Sequence, residues 1–268
     1  MPKAGEIMKR IETRRTLDEH ESEQWKRDGY LILRDVFTSD EMQALSEEAW
    51  QLTYQRDLID KLNLRCRFQQ THDDADCLWE TFDPVIDLCS MAHRVAHDRR
   101  LLRILHDIYG EPACLFKDKL IFKQPGTRGY ELHQDWISWP GFPRSFLTVL
   151  IPIDSANSEN GCTEVFPGYH LHGSLSPEDG DYHRLSDNLV DEEKSIKLVL
   201  APGDIAIFDG FTPHRSGPNL SESWRRQLYL SYNAYSDGGD QRDDHYERFR
   251  VYLRKRYAEH GHVETYFR

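Results

Sequence analysis

His133-Gln134-Asp135 sets an imidazole and a carboxylate two residues apart at the end of a strand-like segment, residues 130–135. Residues i and i+2 of a strand point to one face, so the two side chains converge. His214 follows Pro202-Gly203-Asp204 and the apolar run Ile205–Phe208, at the lip of the next turn, and offers a third donor. Two histidines and one carboxylate form the facial set of non-haem Fe(II) oxygenases. Mixed nitrogen and oxygen donors suit ferrous iron and leave coordination positions open for a cosubstrate and O2.

A His-x-Asp pair carries little alone, because a short motif needs its structural context. The chain holds 13 histidines and repeats the form at His72-Asp73-Asp74, with near-misses at His245-Tyr246-Glu247 and His262-Val263-Glu264. These lie in a polar irregular stretch, on a charged helix and in the tail, and are expected at the solvent surface. Residues 133 and 135 differ from them in their downstream company. Arg225 begins a strand eleven residues after His214. A guanidinium there could grip a carboxylate bidentately, as the far end of 2-oxoglutarate requires. Arg226 points the other way along a strand, so only one of the two can serve, and a surface ion pair is the plain alternative for Arg225.

Other residues near the pair invite a substrate role. Trp136, Trp139, Phe142 and Phe146 could wall an apolar pocket or cage a quaternary ammonium; barrel-end packing explains them equally. Lys117, Lys119, Lys123, Arg128 and Arg144 outnumber Asp118, Glu131 and Asp135 in the same region. That balance hints at an anionic substrate, against the alternative of a solvated strand edge. His170 sits in a Pro-Gly-Tyr-His turn and suggests a structural hydrogen bond. The acid-rich stretch 171–195 is long enough for a lid or for a mobile surface connection.

The elements that must position these groups are legible from patterning. Thr16-Leu17-Asp18-Glu19 has capping-box form and opens a helix that closes at Gly29; Thr38 and Glu41 repeat it before a helix over 40–55. Residues 30–36 read as a short buried strand and 56–80 as irregular and polar. Apolar positions from Leu88 to Leu105 mark one or two helices stopped by Gly110. From residue 113 short strands succeed one another at 114–123, 130–135, 145–153, 162–166, 196–200, 204–208 and 225–234. With residues 30–36 they make about eight, which suits a mainly β fold, a jelly-roll barrel, with N-terminal helices packed on one outer face. The reading is one domain over 1–268: barrel core 113–235, helical flanks 16–110 and 240–258.

Composition narrows the function. A hydrophobic share of 38% with 30% charged residues is that of a globular chain, and no apolar run reaches membrane-spanning length. The opening MPKAGEIMKRIETRR has no apolar core behind its basic residues, so it reads as no secretory signal. A net charge of −12 argues against nucleic acid as a partner, since duplex binding calls for a basic surface. Cys66, Cys77, Cys89, Cys114 and Cys162 are odd in number and scattered, which reads as free thiols in a reducing cytoplasm.

Several ordered motifs together resemble the phytanoyl-CoA dioxygenase family. They are DGYLILRDVF from Asp28, Leu132-His133-Gln134-Asp135 with Trp139-Pro140, and Glu159 to His170 (ENGCTEVFPGYH). Pro202-Gly203-Asp204, His214-Arg215-Ser216-Gly217-Pro218-Asn219 and Arg225 complete the series. The resemblance covers about residues 20–235 and implies a double-stranded β-helix, Fe(II), 2-oxoglutarate and O2. By position it implies His133, Asp135 and His214 as metal ligands and Arg225 as the cosubstrate clamp. A further 2-oxoglutarate contact on the preceding strand falls at Lys119, with Lys117 or Leu120 as alternatives. The loop Gly126–Tyr130 is shorter than in the fatty-acyl-CoA enzymes, so the resemblance speaks for the cofactors rather than for phytanoyl-CoA.

The expected reaction is hydroxylation of a small organic molecule, with succinate and CO2 as coproducts. Trp136, Trp139, Arg128 and Phe146 are the substrate-side candidates. Candidate substrates are a phosphonate or other small anion, a natural-product intermediate and an acyl thioester, in that order. Asp135 speaks against halogenation, which needs that position free for the halide. The rivals are a non-catalytic barrel that holds metal or senses 2-oxoglutarate, and the same cofactors with desaturation, epimerisation or ring formation as the outcome.

Overall fold

The computed structural model describes residues 16–268. The opening MPKAGEIMKRIETRR, read above as no secretory signal, lies outside them. In chain order the elements are α1 (Glu19–Asp28), β1 (Tyr30–Leu33), α2 (Ser39–Leu52), β2 (Cys66–Gln70), β3 (Cys77–Phe82), α3 (Ser90–Ala96) and α4 (Arg99–Tyr109). Then come β4 (Ala113–Lys123), β5 (Tyr130–His133), β6 (Leu147–Pro152), β7 (Thr163–Val165) and β8 (Ile196–Lys197). The chain continues through β9 (Ile205–Asp209), β10 (His214–Ser216), β11 (Arg225–Ala234) and α5 (Arg242–Glu259).

Alternation along the long strands builds two cores. Leu147, Val149 and Ile151, Ile205 and Ile207, and Leu228, Leu230 and Tyr232 point to one face and pack on α2, α3 and α4. Their neighbours Leu150, Ala206, Phe208 and Tyr229 point to the other face and meet Cys162, Val165 and Leu198. A period of two with both faces buried is what a sheet between helices and a second sheet demands. The large sheet runs β1-β9-β6-β11-β4-β3-β2, the small one β5-β10-β7-β8, and every pairing is antiparallel. The result is the expected double-stranded β-helix with helices against one outer face.

Three expectations change. The described residues hold eleven strands, because 56–80 contributes β2 and β3 to the edge of the large sheet and β10 forms at His214. The first capping box sits two residues later than expected. Asp18 accepts from the Glu21 N–H at 2.7 Å and Glu21 returns to the Asp18 N–H at 3.1 Å, a carboxylate serving the cap as well as threonine would. The Thr38–Glu41 box and the left-handed caps at Gly29 and Gly110 are as expected. The third change concerns α5. His72-Asp73-Asp74 and His262-Val263-Glu264 are exposed, but His245 and Tyr246 are buried and only Glu247 faces solvent. Arg242, His245, Tyr246 and Phe249 share one helical stripe, which docks on β4 despite the charge of the helix as a whole. All five cysteines are free, and no helix among the described residues is long and apolar enough to cross a membrane.

Candidate active site

Strand pairing brings the expected donors together. β10 lies between β5 and β7, and His214 is the direct cross-strand partner of His133. Their rings stand 4.2 Å apart, centroid to centroid. Asp135, two residues beyond the end of β5, sets Oδ1 at 3.8 Å from His133 Nε2 and 3.7 Å from His214 Nε2. All three donor atoms lie within 4.8 Å of one another, the one such group of three or more metal-ligating side chains among the described residues.

The surroundings fix the chemistry of each donor. His133 Nδ1 lies 2.7 Å from the Glu131 carbonyl, and His214 Nδ1 lies 3.1 Å from that of Thr212. A carbonyl only accepts, so each Nδ1 carries the proton and each Nε2 presents its lone pair to the centre. Burial, then the neighbouring His214, pushes His133 down to about 3, and burial also lowers His214. Both imidazoles are therefore neutral, the form that ligates. Burial acts to raise Asp135, but His214, Lys119, His133 and the Thr148 hydroxyl outweigh it and hold the carboxyl below its usual range. Thr148 Oγ1 donates to Asp135 Oδ2 at 2.7 Å and leaves Oδ1 for an ion. The donor set fits a divalent first-row metal. Thr148→Val should weaken iron binding by about 10–100-fold, measured by competition with a chelator. Unchanged affinity would show that the hydroxyl does not orient the carboxylate.

Between the sheets, the large sheet presents Arg225, Gln227 and Tyr229 from β11 against Lys123, Ile121 and Lys119 from β4. Arg225 is 1% exposed and donates through Nη1 to the Gly161 carbonyl, while its Nε has no partner. Gly161 holds a left-handed φ of 68° and a Cβ there would come within 2.2 Å of the Gly217 carbonyl, so this close approach requires glycine. Gln227 Nε2 is likewise buried without a partner. The Tyr229 hydroxyl donates to Gln227 Oε1 at 3.1 Å and lies 3.3 Å from Thr163 Oγ1. Lys123 is Arg225's cross-strand partner, and the nearby carboxyl of Glu80, bonded by the Tyr130 hydroxyl, is pushed up by burial. This buried region sets Arg225 and Lys123 near the one carboxyl of Glu80 and holds two donors without partners, which fits an incoming carboxylate. Arg226 faces the other way and is spent on Asp154 (2.7 and 2.8 Å) and Ser46.

On the far side of Asp135 lies a cavity of about 60 Å3 lined by Lys117, Lys119, Trp139, Phe146, His245 and Phe249, among others. It shares Trp139, Phe142 and His245 with an outer vestibule of about 540 Å3. Of the substrate-side candidates, Trp139 and Phe146 line the cavity. Trp136 does not: it packs on Phe211 with the Arg144 guanidinium over both rings, in one buried cluster with Phe146. Arg128 sits at the end of β2 against Asp74, 3.4 Å away. His170 packs against Gly29, with its Nδ1 buried and unpartnered, and takes no part in the donor triangle.

Sequence reading missed two contributors. Tyr182 brings its ring to 5.6 Å from that of His133, and it lies in the 171–195 stretch without any periodic signal. That stretch is pinned over the site by Trp139 Nε1 to the Gly180 carbonyl (2.6 Å), Gly180 N–H to Ser138, and Leu185 N–H to the Leu132 carbonyl. Gln134 adds a clamp, donating to the Gly173 carbonyl and accepting from the Leu175 N–H. His245 is the second, and only its place in the helical stripe could have marked it.

Comparison with known proteins agrees with this geometry. The family model described as phytanoyl-CoA dioxygenase (PhyH) matches residues 25–227. The chain is 30% identical over 236 residues to a methylphosphonate hydroxylase of Gimesia maris, covering 86% of each protein. It is 32% identical over 141 residues to a 2-aminoethylphosphonate dioxygenase of an uncultured bacterium, covering 50% of this chain and 51% of that one. In fold it matches the crystal structure of EctD from S. alaskensis with 2-oxoglutarate and 5-hydroxyectoine, with a TM-score of 0.65 at 20% identity over 84% of this chain and 80% of that one. The chain belongs to the phytanoyl-CoA dioxygenase family of Fe(II)- and 2-oxoglutarate-dependent oxygenases.

Proposed function

We propose that this enzyme hydroxylates a small anionic organic molecule, with His133, Asp135 and His214 as the iron ligands and Arg225 as the clamp on 2-oxoglutarate. The observation that carries the reading is the triangle of Nε2, Nε2 and Oδ1, with the buried unpartnered donors of Arg225 and Gln227 between the same sheets. Iron(II) bound there supplies the activation of O2 that couples decarboxylation of 2-oxoglutarate to oxidation of a substrate C–H bond. One oxygen atom enters succinate, the other becomes the new hydroxyl, and CO2 leaves. Arg225 and Gln227 satisfy the far carboxylate, and Lys119, placed between Asp135 and the Tyr229 ring, adds positive charge. Trp139, Phe142, Phe146 and Phe249 exclude water and hold the C–H bond toward the metal side of the cavity.

Relatives named for methylphosphonate and 2-aminoethylphosphonate support an anionic substrate. The helices share a core with the large sheet, which supports one domain over the chain. Free thiols support a reducing compartment, the cytoplasm. The test is turnover with Fe(II), 2-oxoglutarate and heavy-oxygen-labelled O2 over a panel of small phosphonates and carboxylates. Succinate formation stimulated by one of them, with one labelled oxygen in the product, is expected. An unsaturated or epimerised product would overturn hydroxylation, and no succinate under any condition would overturn the reading.

A further inference from the structure

We propose that the cavity beside Asp135 is a receptor for a tetrahedral oxyanion, with His245 and Lys117 gripping the phosphonate-type head of the substrate; this rests on the oxygenase reading and deepens it. His245 comes from α5, which also supplies Phe249 to the cavity, far in sequence from the strands that carry the donor triangle. It is 6% exposed, lines the cavity, and its Nε2 is buried with no partner. A buried ring nitrogen without a partner is destabilising unless something that binds there satisfies it.

The chain holds this histidine rigidly. On one side Arg242 Nε donates to Asp118 Oδ2 at 2.8 Å. On the other the Tyr246 hydroxyl is bonded to Asp83 Oδ1 (2.9 Å) and to the Asp118 carbonyl (2.7 Å). Asp118 is itself fixed by the N–H groups of Val85 and Ile86. Two turns of α5 are thereby fastened to β4, with His245 between the fastenings.

The cavity lining carries two amines, Lys117 and Lys119, against the one carboxylate of Asp135. Arg67 and Lys117 share the single carboxylate of Asp83, Lys117 at 3.2 Å. Burial lowers the Lys117 amine well below its usual range and lowers Lys119 as well, so an anion seated there would favour their charged forms, while Asp135 is committed to the donor triangle. Lys117 and Lys119 approach from the strand and His245 from the helix, so donors arrive from different directions. Three oxygens on a tetrahedral centre can meet such a set, whereas a planar carboxylate offers two. A void of about 60 Å3 is about four times what one water requires, the scale of a head group with a carbon or two. Aromatic walls at Trp139, Phe142 and Phe146 leave the adjoining carbon in an apolar setting on the side of Asp135.

The probe is methylphosphonate, titrated calorimetrically into the full chain loaded with Fe(II) and 2-oxoglutarate under nitrogen, with acetate as the planar comparison. Wild type should bind methylphosphonate more tightly than acetate. His245→Phe and Lys117→Met should each weaken methylphosphonate binding by about tenfold to a hundredfold. His245→Gln, which restores a side-chain N–H, should recover most of the loss, and thermal melts verify that each variant is folded. Equal binding by wild type and both variants, tighter binding of acetate, or a glutamine variant as weak as the phenylalanine one would overturn the proposal. Succinate formed from 2-oxoglutarate and O2 by a wild type that does not bind methylphosphonate would overturn this receptor alone. Absence of succinate would overturn the oxygenase reading beneath it.

Discussion

His133→Ala is expected to abolish succinate formation and to leave the purified protein without stoichiometric iron. Removing a group that only orients a ligand already costs about 10–100-fold in metal affinity, so loss of a ligand should exceed that range. His133 has no substitute in the structure. Of the histidines, only His214 joins it at the centre, and the decoys at His72 and His262 lie on the surface. The fold should survive, because the imidazole is held by a single hydrogen bond to a carbonyl two residues away, while β5 keeps its backbone pairing to β10. Iron content after dialysis, succinate yield and a thermal melt check the three parts separately. A folded His133→Ala protein with wild-type iron and turnover would remove the triad and with it the assignment of ligands.

The metal triangle was legible because it rests on two local rules. The two-residue spacing marked His133 and Asp135 as neighbours, although β5 ends at His133 and Asp135 lies just past it, and an apolar strand ending in a turn delivers His214 to the same end of the barrel. What no local rule supplies is the pairing of His214 with His133 across β10, a strand of three residues too short to carry a pattern. The edge strand β2 and its neighbour β3 escaped for a related reason. Their buried positions include Arg67's partner Asp83 nearby and Glu80 and Thr81 within, polar groups where a strand signal expects apolar ones. Asp83 is held by Arg67, Lys117 and Tyr246, and Glu80 by the Tyr130 hydroxyl, partners that come from distant elements. His245 was misplaced by averaging: the helix is charged over most of its circumference, and a stripe of four residues decides which side is buried. Function-bearing positions broke the patterns that located everything else.

Arg225→Ala should weaken 2-oxoglutarate binding by about tenfold to several hundredfold, while Arg226→Ala leaves it intact and costs stability instead. The two arginines are adjacent, yet the strand sends them to opposite faces. Arg225 enters the space between the sheets, where its Nε lacks a partner and Gln227 Nε2 waits beside it. A charge-assisted hydrogen bond contributes about 1.5–3 kcal/mol, which sets the expected loss on truncation. Arg226 instead makes a bidentate pair with Asp154 and reaches Ser46 on α2, so it ties the helical layer to the sheet. Breaking a buried pair costs about 3–5 kcal/mol, and this one belongs at the low end, since Asp154 keeps 27% of its side chain in solvent. Cosubstrate titration under nitrogen separates affinity from turnover, and denaturant melts report stability. If Arg226→Ala lost cosubstrate affinity while Arg225→Ala kept it, the strand register would be off by one, and the unpaired donors between the sheets would need another ligand.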